Sequence, residues 1–148
     1  MPFEPHPDAQ ERKDSAIKLI KAILAIDDLY ERHRRRFLSN CLWQLTEAEG
    51  RTKYETRFRS EEALRAKKKK GLRHEHVFTR KKMVKELIDC PDCVDEIVEK
   101  AVACVVTTAE HVKLSKLDKA EPEIDGWKRY KRTGIVVIDT KTDKRKKL

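Results

Sequence analysis

Three of the five histidines of this chain fall in two short segments, in the company of a carboxylate. The first segment carries His74, Glu75 and His76, and the second carries His111. Imidazole and carboxylate groups are ligands for divalent metals, and an imidazole that titrates near neutral pH can take a proton from water. The residue types therefore predict a site for Mg²⁺, Mn²⁺ or Zn²⁺.

The elements that must position these side chains can be read from the flanking sequence. The first segment is a short strand that begins after Gly71, and the run Cys104–Val106 is a buried strand by its β-branched content. Thr107 and Glu110 have the spacing of a capping box, so a helix that carries His111 begins there. The predicted order is strand, strand, helix.

These residues resemble the HNH, or His-Me finger, nuclease motif over roughly residues 72–117. The resemblance implies a ββα-metal unit in which a histidine on the first strand is the general base. It also implies that an acidic residue and a histidine on the helix hold one metal against the scissile phosphate. Carried over to this sequence, His76 is the base, and Glu75 and His111 are the metal ligands.

The chain departs from the pattern of that family in its central Asn. The only Asn is Asn40, in the N-terminal region, which leaves Thr107, Thr108 or Glu110 to take its place. A helical pair, predicted at residues 79–101, is also inserted between the two halves of the motif. A member that binds nucleic acid without cutting it is therefore one of the outcomes we expect.

The alternation of a β-strand sets a second condition on the site. Successive side chains point to opposite faces, so a regular strand sends His74 and His76 to one face and Glu75 to the other. The strand must end or bend at Glu75 if Glu75 and His76 are to share a site. Otherwise His74 and His76 are the natural pair.

The charge of the chain predicts a polyanionic partner. Its 35 Lys and Arg against 26 Asp and Glu give +9 at pH 7, which favours nucleic acid over a membrane. A solvated basic surface is the alternative. The predicted phosphate contacts are Lys67, Lys68, Lys69, Lys70, Arg73, Lys113 and Lys116.

Hydrophobic periodicity predicts one α+β domain with an N-terminal extension. Residues 1–50 are expected to form a helical hairpin, which is also the candidate surface for a protein partner. Residues 51–140 are expected to form the ββα-metal-like core with its helical insertion and a C-terminal helix and strand. Residues 141–148 are expected to be a basic, mobile tail. The cluster Arg32–Arg36 is either a solvated helix face or a phosphate contact.

The cysteines and the apolar runs bear on the compartment. There is no apolar run of the ~20 residues that a membrane span needs, and no signal peptide, so we expect a cytoplasmic protein with reduced thiols. Cys90 and Cys93 have the spacing of a zinc or redox site, but no second such pair completes four ligands. Two buried thiols at a helix start are favoured. No glycine pattern for a nucleotide cofactor is present.

The sequence thus favours a metal-dependent HNH-like endonuclease that cleaves DNA phosphodiester bonds. Two alternatives stay open. One is a non-catalytic nucleic-acid-binding module on the same scaffold, and the other is a small protein-interaction regulator of a nucleic-acid-processing complex.

Overall fold

The computed structural model describes residues 3–148 and has the predicted α+β class with an N-terminal helical hairpin. The helices are α1 (Ala9–Ala25), α2 (Glu31–Glu47), α3 (Glu61–Arg65), α4 (Arg80–Asp89), α5 (Val94–Ile97), α6 (Thr108–Ala120) and α7 (Trp127–Thr133). The strands are β1 (Phe58–Ser60), β2 (Leu72–His76), β3 (Ala103–Thr107), β4 (Val137–Asp139) and β5 (Lys144–Arg145).

The hairpin of α1 and α2 is closed by apolar packing and by one arginine. Ile20 of α1 and Leu38 of α2 are fully buried in one core cluster, which also includes residues of α4. Arg34 donates hydrogen bonds to the carbonyl oxygens of Ile23 and Ile26 at the end of α1 (2.5 and 2.6 Å). The Ile23 carbonyl also accepts a long backbone hydrogen bond from the Ile26 amide (3.4 Å), so the guanidinium adds a second, shorter bond at a helix end where carbonyl groups are poorly satisfied.

The sheet has the strand order β2-β3-β1-β4-β5. Strand β1 runs parallel to β3, and the other neighbouring pairs are antiparallel. On one face of β2 and β3, the hairpin and α3 cover the sheet. On the other face, Val106 of β3 packs in a buried cluster with Leu114 of α6 and Tyr130 of α7. The sheet therefore lies between two helical layers.

The predicted order of strand, strand and helix is present. Strand β2 pairs antiparallel with β3, and α6 begins directly after β3. The capping box that predicts the start of α6 is formed, because Thr107 Oγ1 accepts from the Glu110 amide and Glu110 accepts from the Thr107 amide. Helices α4 and α5, with the 3-10 turns Pro91–Cys93 and Val98–Lys100, form the insertion between the two strands.

Two local predictions were wrong. Cys90 and Cys93 are joined by a disulfide and are only half-buried, whereas the sequence predicted two buried reduced thiols. Cys41 and Cys104 are the free, buried cysteines of the described chain. Residues 141–148 were expected to form a mobile tail, but β5 pairs with β4 and Leu148 packs against the core. Within residues 3–148, the helices are all too short or too polar to cross a bilayer.

Candidate functional site

Strand β2 is regular through His76, and its alternation separates the predicted site residues. His74 lies opposite Val105 and Glu75 opposite Cys104 in an unbroken antiparallel register. His74 and His76 consequently lie on the face covered by α2, with their ring centroids 5.4 Å apart. Glu75 lies on the face covered by α6 and α7. The histidine pair expected for an unbent strand is therefore the one that forms.

Glu75 and His111 meet on the α6 side of the sheet. Nδ1 of His111 lies 2.6 Å from Glu75 Oε2, and the Glu75 side chain is only 12% exposed whereas that of His111 is 41% exposed. The contact joins β2 to the first turns of α6. The strand-to-helix pairing predicted for two metal ligands is therefore present, and it opens to solvent on the His111 side.

Arg129 of α7 anchors the Glu75 carboxylate from below. Its guanidinium is buried and donates to Glu75 Oε1 (3.1 Å), to both oxygens of Asp118 (2.8 Å each) and to the carbonyl oxygens of His76 and Val77 (3.0 and 2.9 Å). Burial lowers the pKa of Arg129, but the hydrogen bonds and charge of Asp118 and the charge of Glu75 outweigh it, so the pKa is raised. Arg129 stays charged and holds two carboxylates in fixed positions.

Helix α6 contributes more to the site than His111. Ser115 and Asp118 follow His111 by four and seven residues, the spacing that places side chains on one helix face, and all three line one groove. Asp118 is the partner of Arg129. The groove-facing side of α6 therefore carries an imidazole, a hydroxyl and a carboxylate in succession.

The two histidines on the other face share one hydroxyl. Thr46 Oγ1 lies 2.9 Å from Nε2 of both His74 and His76, and Nδ1 of His74 faces the Lys53 carbonyl, which can only accept. Thr46 Oγ1 also donates to the carbonyl oxygen of Trp43 (2.9 Å), so this one hydroxyl ties both imidazoles to the last turns of α2.

Burial keeps these imidazoles neutral. Desolvation lowers the pKa of His76 to about 3, with further lowering by the charges of His74 and Arg80. Desolvation also lowers the pKa of His74. Trp43 packs against both rings at centroid distances of 4.9 and 5.1 Å, and it takes the Arg80 guanidinium on its outer face at 4.9 Å. The Trp43 ring therefore lies between the His76 imidazole and the Arg80 guanidinium.

The two faces meet at the end of β2 in one open groove. At this end the strand stops, and side chains from both of its faces reach the same opening together with residues of α2, α4, α6 and α7. The groove is lined by Trp43, His74, Glu75, His76, Thr79, Arg80, His111, Ser115, Asp118 and Arg129. The three predicted catalytic and metal-binding residues are all among them.

The predicted phosphate contacts, Arg73 among them, are exposed and do not line this groove. Lys67–Lys70 are in the loop before β2, whose other end carries His76, at a distance of about 13 Å along the strand. Lys113 and Lys116 point away from the His111 face of α6, and Lys113 lines a separate groove with Glu61 and Glu62. The described basic groups of the site itself are Arg80 and Arg129.

These two arginines and three further residues of the groove region were not predicted from the sequence: Asp118, Trp43 and Thr46. Asp118 could have been predicted, because it follows His111 at helical spacing. Arg129 had no such signal, since a lysine- and arginine-rich helix reads as a solvated surface. Trp43 and Thr46 belong to the N-terminal hairpin, and only the packing of that hairpin on β2 brings them to the histidines.

The site offers few protein ligands for a metal. Among residues 3–148, no three His, Cys, Asp or Glu side chains are grouped so as to hold a metal ion. We found no matching family model, no similar curated protein and no similar solved structure. A functional assignment therefore depends on the chemistry of the groove.

Proposed function

We propose that the protein is a metal-dependent endonuclease of the ββα-metal type, acting on phosphodiester bonds in DNA. The observation that carries the proposal is the contact between Glu75 on β2 and His111 on α6. It joins a carboxylate and an imidazole across a strand–strand–helix unit, at the edge of an open groove in a chain of net charge +9.

The donor set fits a hydrated divalent ion rather than a structural zinc site. Glu75 and His111 lie in direct contact (2.6 Å) and would supply at most two protein ligands, whereas structural zinc takes four. Mg²⁺ usually keeps several waters and is held by one or two carboxylates plus substrate phosphate. When bound there, such an ion would neutralise charge that develops on the phosphate and the leaving oxygen.

The residues of the chain have separable tasks in this proposal. His76 accepts the proton of the attacking water, because its neutral ring carries a lone pair and it lines the groove. A base with a pKa of about 3 is weak, but an anionic phosphate beside the ring raises the pKa of an imidazole. Substrate binding would therefore bring His76 closer to the range in which a general base is effective.

The arginines orient the other groups. Arg129 fixes Glu75 and Asp118 through three hydrogen bonds to their carboxylates, and it donates two more to the backbone carbonyls of His76 and Val77. Arg80 is partly buried against Trp43 and presents a positive charge at the groove, where a phosphate oxygen would accept from it. Binding and orientation of the phosphodiester would thus depend on Arg80, and rigidity of the ligand pair on Arg129.

One observation favours a second candidate, a nucleic-acid-binding module that does not cut. Both oxygens of Glu75 are bonded within the protein, Oε1 to Arg129 and Oε2 to His111. A carboxylate that is satisfied in this way gains less from a metal than a free one does. Such a protein would bind DNA through its basic surfaces and leave it intact.

A plasmid-nicking assay with Mg²⁺ or Mn²⁺ distinguishes the two. We expect nicking by the wild type, loss of nicking in Glu75→Gln and His111→Ala, and little change in His6→Ala, which replaces a histidine outside the groove. Isothermal titration should likewise show that wild type and His6→Ala bind Mn²⁺ and that Glu75→Gln and His111→Ala do not. Binding of DNA without nicking under any metal would support the non-catalytic module and refute the nuclease.

The role of His76 needs its own variant. We expect His76→Ala to lose nicking while its affinity for DNA in EDTA changes less than about threefold, because a general base lowers the barrier rather than the energy of the bound ground state. Circular dichroism must first show that the variant folds, since His76 is buried. A parallel loss of affinity and activity would make His76 a binding or structural residue.

A further inference from the structure

The arginines at the start of α2 are of two kinds: some form hydrogen bonds or ion pairs within the protein, and others form no ion pair among the described residues. Arg34 closes the helical hairpin through two carbonyl oxygens, and Arg35 pairs with Glu31 at 3.3 Å. Arg32 and Arg36 are exposed, and within the described residues neither forms an ion pair. They are four residues apart, so they share one face of α2.

Two exposed aromatic side chains flank this arginine pair. Tyr30 is 62% exposed and Phe37 is 53% exposed, in a chain with only nine Phe, Trp and Tyr residues in all. His33 lies between them, with its ring centroid 5.1 Å from that of Tyr30 and 6.5 Å from that of Phe37. An isolated exposed aromatic needs no explanation, but three rings in a row beside two unpaired arginines do.

We infer that this α2 surface, formed by Tyr30, Arg32, His33, Arg36 and Phe37, binds single-stranded nucleic acid. Unpaired bases stack on the exposed rings, and the arginines contact the phosphates between them. Aromatic side chains combined with basic ones are the usual means of binding a single strand without sequence preference. A duplex would reach the arginines but could not present its base faces to the rings.

The position of the α2 surface connects it to the groove. Trp43 follows Arg36 by seven residues and so lies on the same side of α2, where it lines the groove beside Arg80. A strand that leaves the α2 surface along this side of the helix arrives at Trp43. The α2 surface would therefore hold an unpaired segment that adjoins the phosphodiester in the groove.

The test is fluorescence anisotropy in EDTA, with labelled oligothymidylate as the single strand and a labelled duplex of equal length. For the double variant Tyr30→Ala/Phe37→Ala we expect a loss of affinity of tenfold or more for the single strand and less than about twofold for the duplex. Leu19→Ala is the control, because Leu19 is equally exposed on α1 (55%) and should change neither affinity.

The arginines are tested in the same way. Arg32→Gln/Arg36→Gln should weaken the binding of both nucleic acids and reduce the salt dependence, whereas Arg35→Gln, with its guanidinium already paired to Glu31, should have a smaller effect. An equal loss on single strand and duplex in the aromatic variant, no loss on either, or no binding by the wild type would overturn the inference. In the last case a protein partner becomes the occupant to test.

This inference rests on the nucleic-acid ligand of the proposed function, but the two can fail separately. Anisotropy in EDTA measures binding without cleavage, and the substituted residues lie outside the groove. Selective single-strand binding without metal-dependent nicking would retain the α2 surface and refute the nuclease. If the aromatic variant nicks every substrate as the wild type does and its anisotropy is unchanged, the nuclease is retained and the α2 surface is refuted.

Discussion

Arg129 and Glu75 form an ion pair, 3.1 Å from Nη2 to Oε1, in which the arginine side chain is only 1% exposed. The same guanidinium also binds Asp118 and two backbone carbonyls. It thereby ties α7 to α6 and to the end of β2. The position of Glu75 against His111 is in consequence determined by a residue more than fifty positions away in the sequence.

The first prediction concerns this anchor. Arg129→Ala should lower the free energy of unfolding by about 3–5 kcal/mol, because it leaves two carboxylates without their counter-ion and two carbonyls without a donor. Arg132→Ala is the matched control on the same helix. Arg132 is exposed and pairs with Glu121 at the surface, so its loss should cost less than about 1 kcal/mol. Urea unfolding followed by circular dichroism measures both, and equal effects would contradict the anchoring role.

A second prediction concerns the start of α6. Glu110 is buried and accepts from Ser60 Oγ (2.6 Å) and from the Thr107 amide (2.8 Å). Glu110→Ala should therefore destabilise the fold by about 1–3 kcal/mol, because it removes the cap and leaves Ser60 without its acceptor. The exposed Glu123→Ala should have almost no effect. Thermal melts of the two variants compare them directly, and a Glu110 variant as stable as wild type would show that the cap contributes little.

The sequence predicts those parts of the fold that depend on neighbours along the chain. The capping box of α6, the helical hairpin and the buried strand β3 follow from local spacing and periodicity, and all are present. The alternation of β2 also predicts the split between Glu75 and the two histidines. In each case the signal lies within a few residues, where backbone geometry alone relates one side chain to the next.

The rest of the site depends on contacts distant in sequence. Thr46 and Trp43 reach the histidines because α2 packs on the sheet, and Arg129 reaches Glu75 because α7 packs on α6. Nothing in the spacing of these residues relates them to β2. The lysine loop shows the converse, since Lys67–Lys70 are adjacent to β2 in sequence but lie at the end of the strand away from His76.

A third prediction is the acid sensitivity of the metal-free protein. His76 has a folded-state pKa of about 3, against an ordinary value near 6.5, and burial lowers the pKa of His74 as well. Between these values the unfolded chain binds more protons than the folded one, so stability is full above about pH 6.5 and falls as the pH approaches 3. One such group contributes a slope of about 1.4 kcal/mol per pH unit.

The variant His76→Gln isolates this effect. It removes one titrating group and keeps a side chain that can donate to Thr46, so the slope of unfolding free energy against pH should decrease between pH 6 and pH 4.5. The hydrogen bond from Arg57 lowers the pKa of Asp139. The stability that the ionised Asp139 contributes is therefore lost only at a lower pH. Urea midpoints in EDTA at a series of pH values provide the measurement, and an unchanged slope would show that His76 is not buried as a neutral ring.

The last prediction concerns the lysine loop, Lys67–Lys70, which lies at the end of β2 away from the groove. It tests whether this loop contacts DNA. If Lys67–Lys70 contact phosphates of a duplex that extends beyond the groove, replacing all four with Gln should reduce the slope of log affinity against log salt by as much as about 3.6, since each duplex contact contributes about 0.9. The matched control replaces four lysines of the C-terminal segment, Lys141, Lys144, Lys146 and Lys147, and so removes the same charge elsewhere. Anisotropy titrations in EDTA at several salt concentrations compare the two variants with wild type. A larger decrease for the loop variant would place the duplex along the start of β2, and equal decreases would mean that net charge rather than this loop determines the salt dependence.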